Sequence, residues 1–258
     1  MQFTDVLAAL QHSHDRFSAT VRPLSAEQAG QQSYADDWTI AQVASHLGSG
    51  AEIFQQIVNA GLEQSPAPGA DGLQPVWDAW NSKPARDQVA DAVRANAAFL
   101  DQVASLAPAE RDGWRLDVFG EQRTLPGLLQ LRLCEHAVHT WDIAVALDPA
   151  ATVAPDAAAL ILGLLPMLAG WTGKGSDDPV TVHVTTSDPH LEFLLQLSPG
   201  HTELAAAAGP ADGSATLQLP AEALVRLVYG RLDPGHTPSA VTAAGVDLAA
   251  LRRAFPGF

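Results

Sequence analysis

Residues 128–147, LLQLRLCEHAVHTWDIAVAL, decide how this chain is read. Apolar residues recur there at three- and four-residue spacing, which predicts a helix with one inward stripe. The stripe runs Leu128, Leu131, Glu135, Val138, His139, Asp142 and Val145. Glu135 and His139 stack one turn apart on it. A carboxylate on a core-facing stripe is costly unless something neutralises it. A second segment, WTIAQVASHLGSGAEIFQQI at 38–57, places His46 on the apolar stripe of Val43, Gly50, Ile53 and Ile57.

Imidazole and carboxylate groups from facing helices are how helical bundles assemble metal sites. Two histidines and a glutamate without cysteine favour zinc, or another borderline divalent ion. Three protein ligands leave a fourth position open, the catalytic rather than the structural arrangement. Asp142, one helical step beyond His139, is placed to hold its second ring nitrogen. The Glu-x-x-x-His spacing alone is common on solvated helices, and a single histidine on an apolar face is commonly a hydrogen-bonded core residue. Two inward stripes carrying ligand-type side chains together are what suggest a metal.

Composition narrows the rest. The 258 residues carry 47% hydrophobic and 17% charged side chains, enough for one large domain or two small ones. A net charge of -15 repels phosphate backbones and anionic lipid, so neither nucleic acid nor membrane is an expected partner. The single cysteine, Cys134, leaves no internal disulfide and suits a reducing compartment. The charged N-terminus has no signal-peptide core, and the longest apolar run, AAALILGLLPMLAGW, is broken by Gly163 and Pro166. A cytoplasmic protein, monomer or homodimer, is expected.

Along the chain, Phe3, Val6, Leu7, Leu10, His14 and Phe17 predict a first helix with Thr4 as its cap, stopped by Pro23. A second helix starts after Thr39 and ends near Gly61. SPAPGADGLQP reads as a loop, a third helix begins near Pro84, and GWRLDVFGEQRTL reads as a hairpin about Gly120. Pro126 would open the fourth long helix at its first position. Four long helices predict an antiparallel bundle over about 1–150. After a linker and a fifth helix at about 156–170, PVTVHVTT, LEFLLQLSP, TELAAAA and SATLQLP alternate like strands. A helix at 221–230, the extended run SAVTAAG and the helix VDLAALRRAF complete a small α+β domain over 151–258.

WTIAQVASHLG together with LCEHAVHTWD resembles the mycothiol-dependent maleylpyruvate isomerase family. So does the C-terminal pair LQLPAEALVRLVYGRLDPGH and VTAAGVDLAALRRAF. The resemblance implies a DinB-like metal-binding four-helix bundle followed by, and packed against, a sterol-carrier-like α+β domain. It implies that His46, Glu135 and His139 are the metal ligands. It also implies a low-molecular-weight thiol such as mycothiol, activated at the metal and used to isomerise or S-conjugate an electrophilic small molecule. Arg231, in VYGRLDPG, would then present a guanidinium to an anionic substrate across the domain cleft. Arg226 is the weaker candidate for that task.

Other residues read more plainly. Cys134 is off the ligand stripe and suits a buried structural thiol. His136 flanks the stripe, and His183 and His190 offer no second metal site. Trp38 and Trp141 adjoin the motifs as candidate pocket walls. Two rival functions remain at this stage. One is a metal-assisted hydrolase with water at the open position; the other is a non-catalytic small-ligand-binding protein.

Overall fold

The computed structural model describes residues 1–118, 120–207, 209 and 215–257. Phe119 of the expected hairpin, and Ala208 and Ser214 of the expected strands, lie outside the described residues. The chain divides into two compact units, Met1–Ala151 and Thr152–Phe258.

The first unit is built on four long helices: α1 (Phe3–Val21), α3 (Ile40–Glu63), α5 (Ala85–Ser105) and α7 (Leu125–Leu147). Three short helices join them: α2 (Ala26–Ala29), α4 (Ala70–Asn81) and α6 (Pro108–Gly113). The hairpin β1 (Arg115–Val118) and β2 (Glu121–Thr124) is antiparallel, as its alternation predicts. Helix α3 packs on α5 and α7, and α1 packs on α5 and α7, which closes the four into a bundle.

Local chemistry fixes where these helices begin. Thr39 caps α3 in a reciprocal box: its hydroxyl accepts from Gln42 N, and the Gln42 side chain accepts from Thr39 N. That start sets the axial position of His46 two turns later. Thr124 caps α7 by accepting from Gly127 N at 3.3 Å, so Pro126 is the second residue of the helix rather than the first. At α1 the expected cap fails. Gln2 holds the cap position without a side-chain bond, and the Thr4 hydroxyl turns to Asp5.

The expected loop at 65–75 is also too long, because α4 begins at Ala70 and runs through Pro75. Tertiary packing explains the helix: Trp80, 2% exposed, lies so close to Gly48 of α3 that a Cβ there would sit 2.2 Å from its ring. Gly61 receives Trp114 in the same way, and Trp114 Nε1 donates to Val58 O at 2.9 Å. Burying the Trp80 ring outweighs the turn signals of residues 65–75.

The second unit opens with α8 (Pro155–Ile161), a 3-10 turn at Leu162–Leu164, and α9 (Leu165–Thr172). By length and composition the run 155–172 is apolar enough to cross a membrane, yet half of it is buried within the fold. Strands β3 (Gly175–Ser187), β4 (Glu192–Pro199), β5 (His201–Ala206) and β6 (Ala215–Pro220) follow, then α10 (Ala221–Val228), β7 (Thr242–Ala244) and α11 (Leu248–Ala254). The sheet order is β5-β4-β3-β6-β7, with β3 and β6 parallel and the other pairs antiparallel. Val182, Val184, Phe193, Leu195, Leu197, Leu204, Leu217 and Leu219 alternate onto one buried face. The class is α+β, as the sequence predicts.

Candidate metal centre

His46 on α3 and Glu135 and His139 on α7 meet inside the bundle. Their ligand-type atoms all lie within 4.8 Å of one another, the sole such group of three among the described residues. His46 Nε2 is 3.4 Å from Glu135 Oε2, and His139 Nε2 is 3.7 Å from the same oxygen. Ligands held about 2.0–2.2 Å from a tetrahedral ion stand roughly 3.4 Å apart, so the spacing suits one divalent cation.

The protonation states also suit it. Burial pushes the Glu135 carboxyl up, but the His46 hydrogen bond and the charges of His139, His46 and Arg132 overcome this and hold it at about 2. Burial is the main cause that lowers His46 below the ordinary imidazole value, against the opposing pull of Glu135. A neutral imidazole and an ionised carboxylate are the forms that ligate metal.

Asp142 does what its spacing predicts. It is fully buried, and its Oδ2 lies 2.9 Å from His139 Nδ1. A carboxylate accepts, so His139 donates from Nδ1 and turns the lone pair of Nε2 towards Glu135 and His46. The indole of Trp38 covers both imidazoles, with ring centroids 5.1 Å from His46 and 6.1 Å from His139. It supplies the apolar wall expected of it. Trp141 departs from that expectation: it is buried, its Nε1 donates to Ala151 O at 2.8 Å, and its ring packs on Tyr34.

Cys134 is a buried thiol in no disulfide, beside the ligand stripe. His136 turns to α1, where its Nδ1 lies 2.8 Å from the Ser13 hydroxyl. Arg231 belongs to the second unit. Its Nη1 donates to Tyr229 O at 2.7 Å, and the guanidinium sits 5.9 Å from the Tyr229 ring. Gly230 at φ +71° makes the turn that presents it, and a Cβ there would lie 2.4 Å from Gly257 N. Arg226 is committed elsewhere in that unit, in a two-point ion pair with Glu222. His183 and His190 both approach Glu192, at 3.4 and 3.6 Å, without converging as a trio.

Sequence reasoning passed over Arg132. It is 1% exposed, one turn before Glu135, and its Nη2 donates to Leu47 O at 2.6 Å and to Asn96 Oδ1 at 2.7 Å. Burial draws the guanidinium down to about 10, while Glu135 pulls it back up, so it stays charged at neutral pH. The available signal was an arginine inside the apolar run LLQLRLCEH.

Comparison with known proteins agrees with this architecture. Residues 10–144 match the family model described as the mycothiol maleylpyruvate isomerase N-terminal domain. Residues 155–253 match the model described as the MDMPI C-terminal domain. A crystal structure of the mycothiol-dependent maleylpyruvate isomerase superposes with a TM-score of 0.68 at 14% identity, covering 97% of this chain and 96% of that one. A histidine-to-alanine mutant of that enzyme gives a TM-score of 0.67 at the same identity and coverage. No curated protein matches significantly.

Proposed function

Because the chain belongs to the mycothiol maleylpyruvate isomerase family, we propose that it is a metal-dependent enzyme that uses a low-molecular-weight thiol, mycothiol or a close equivalent, on an electrophilic small molecule. Isomerisation of an unsaturated acid is the leading reaction, and S-conjugation uses the same parts. The observation that carries the reading is the convergence of His46, Glu135 and His139 within 4.8 Å. When bound there, a divalent ion such as zinc would lower the pKa of a thiol enough to make it a nucleophile at neutral pH.

The protein's own residues do the rest. Glu135 supplies the one negative charge of the ligand set, and His46 and His139 supply neutral nitrogens. Asp142 fixes the His139 tautomer through the bond at 2.9 Å. Trp38 excludes water from one side of both imidazoles. The one cysteine, Cys134, is buried, which favours a thiol brought from solution over one supplied by the chain. A reducing cytoplasm would keep such a thiol reduced. Arg231 is assigned to hold an anionic group of the substrate, on the strength of the family resemblance and of the Gly230 turn that presents it.

Elemental analysis of the purified protein, followed by a screen of thiols against electrophiles, tests the reading. One metal per chain is expected, and His46→Ala or Glu135→Ala should lose both metal and turnover. Turnover that survives in a metal-free variant would sink the metal. Hydrolysis without any thiol would establish the water-based enzyme instead. A metal-free protein carrying an apolar ligand would establish the binder. Arg231→Gln should raise KM for an anionic substrate and leave the metal content unchanged.

A further inference from the structure

A fully buried guanidinium is an expensive choice for a helical core. Moving a cation out of water costs several kcal/mol even after relaxation, and an apolar residue of similar size is commonly as stable or more so. Arg132 is nonetheless 1% exposed, its Nε is buried with no hydrogen-bond partner, and no carboxylate lies within ion-pairing distance among the described residues. Stability does not account for it.

Its hydrogen bonds converge on the backbone beside a metal ligand. Nη2 reaches Leu47 O, the carbonyl next to His46, at 2.6 Å. The same Nη2 holds Asn96 Oδ1 at 2.7 Å, and Asn96 Nδ2 returns to Leu47 O at 3.2 Å and to Ala92 O at 2.9 Å. One carbonyl of α3 is thus gripped from α7 and from α5 at once. Gly50 leaves the space for it, since a Cβ there would lie 2.6 Å from Nη1. The phenyl ring of Phe54 closes the far side, 5.6 Å from the guanidinium carbon. Leu47 and Asn96 are themselves 0% and 2% exposed, so neither end of the grip is loosened by solvent.

The geometry matters because His46 comes from α3, whereas Glu135 and His139 come from α7. The two α7 ligands are spaced by their own helix. The separation of His46 from them depends on the axial register of α3 against α7, and packing of apolar side chains tolerates small sliding. We propose that Arg132 is a positioning residue for the metal centre: with Asn96 it clamps the Leu47 carbonyl and so fixes His46 against Glu135. The inference rests on the metal reading above, and its test separates the two.

The test measures metal affinity by chelator competition, the visible spectrum of the cobalt-loaded protein, and unfolding of the metal-free protein. Wild type should bind one metal and Glu135→Ala none; if wild type binds none, it is the metal reading that falls. The double variant Arg132→Met/Asn96→Leu removes donor and acceptor together, which keeps the cost to folding small. It should fold with near-wild-type stability, bind metal roughly 10–100-fold more weakly, and change the cobalt spectrum. Arg132→Lys keeps the charge and loses the fork, so it should weaken binding as well. Wild-type affinity and spectrum in the double variant overturn the proposal. Binding that is unchanged in Arg132→Lys and tighter in the double variant also overturns it, by reducing Arg132 to a repelling charge. If the double variant does not fold, the affinity and spectrum of Arg132→Lys decide alone.

Discussion

Each unit buries one arginine, and the two are treated in opposite ways. Arg226, 2% exposed in the second unit, meets Glu222 at two points, Nε to Oε2 at 2.7 Å and Nη2 to Oε1 at 2.8 Å, and gives Nη1 to His236 O at 2.7 Å. Its charge is neutralised within one turn of α10. Arg132, 1% exposed in the first unit, has neutral acceptors at hydrogen-bond distance and an Nε without a partner. Glu135 is the carboxylate whose charge it feels, through space. A buried cation with its own counter-ion is a closed structural unit. One without is an open charge whose field and hydrogen bonds act on whatever lies beside it, here the candidate metal centre.

The contrast is broken most forcefully at Arg226. Glu222→Ala leaves a buried guanidinium unpaired and should cost about 3–5 kcal/mol of stability. Denaturant unfolding followed by a probe in the second unit measures this. Metal content of the first unit should not change; a loss of metal would mean that Arg226 is no more closed than Arg132.

A gentler attack on the open arginine comes through its glycine. Gly50→Ala places a Cβ 2.6 Å from Nη1 in a packed interior, which should cost about 1–3 kcal/mol and shift the guanidinium off Leu47 O. Metal affinity should fall with it. Unchanged stability and affinity would show that the guanidinium has room to move, and the clamp would lose its force. Asp142→Asn then separates orientation from position. It removes the carboxylate that accepts from His139 Nδ1 at 2.9 Å, while Leu47 O stays gripped. A 10–100-fold loss of metal affinity is expected, with no loss of the cobalt protein's three-ligand spectrum at saturating metal.

What could be read in advance follows the range of the physics involved. The inward stripes of α3 and α7 are properties of one helix each, so His46, Glu135 and His139 were legible from periodicity. The Asp142 contact was too, being local to α7. The clamp was not, because it joins residues 47, 96 and 132 from three helices and uses a backbone carbonyl, which leaves no mark in sequence. Helix α4 was hidden for a related reason: Gly69, Gly72 and Pro75 signal a loop, and only the seat that Gly48 offers Trp80 overrides them. Trp141 adjoins the motif in sequence, but adjacency says nothing of which way a ring turns, and this one packs on Tyr34. The sequence pattern puts Arg231 at the end of a helix over 221–230, whereas α10 stops at Val228 and Gly230 at φ +71° turns the chain before Arg231.

Histidines give the weakest and most telling form of the comparison, because unlike arginine they can give up a buried charge. On the α1 side of α7, His14 Nδ1 is buried without a partner, and burial lowers its pKa. Arg22 lowers it further, while Asp15 and Asp101 oppose. The sign follows from the folded value lying below the ordinary 6.5. Above pH 6.5 both folded and unfolded chains are neutral there, and the full stability is present. As pH falls below 6.5 the unfolded chain takes up the proton first, so stability declines until the folded value is passed. His14→Gln should therefore flatten the pH dependence of unfolding between pH 7 and 5, by less than one proton. Parallel curves for the two proteins would mean that His14 keeps its ordinary pKa, and that half-burial on this face of α1 does not force a cation to discharge.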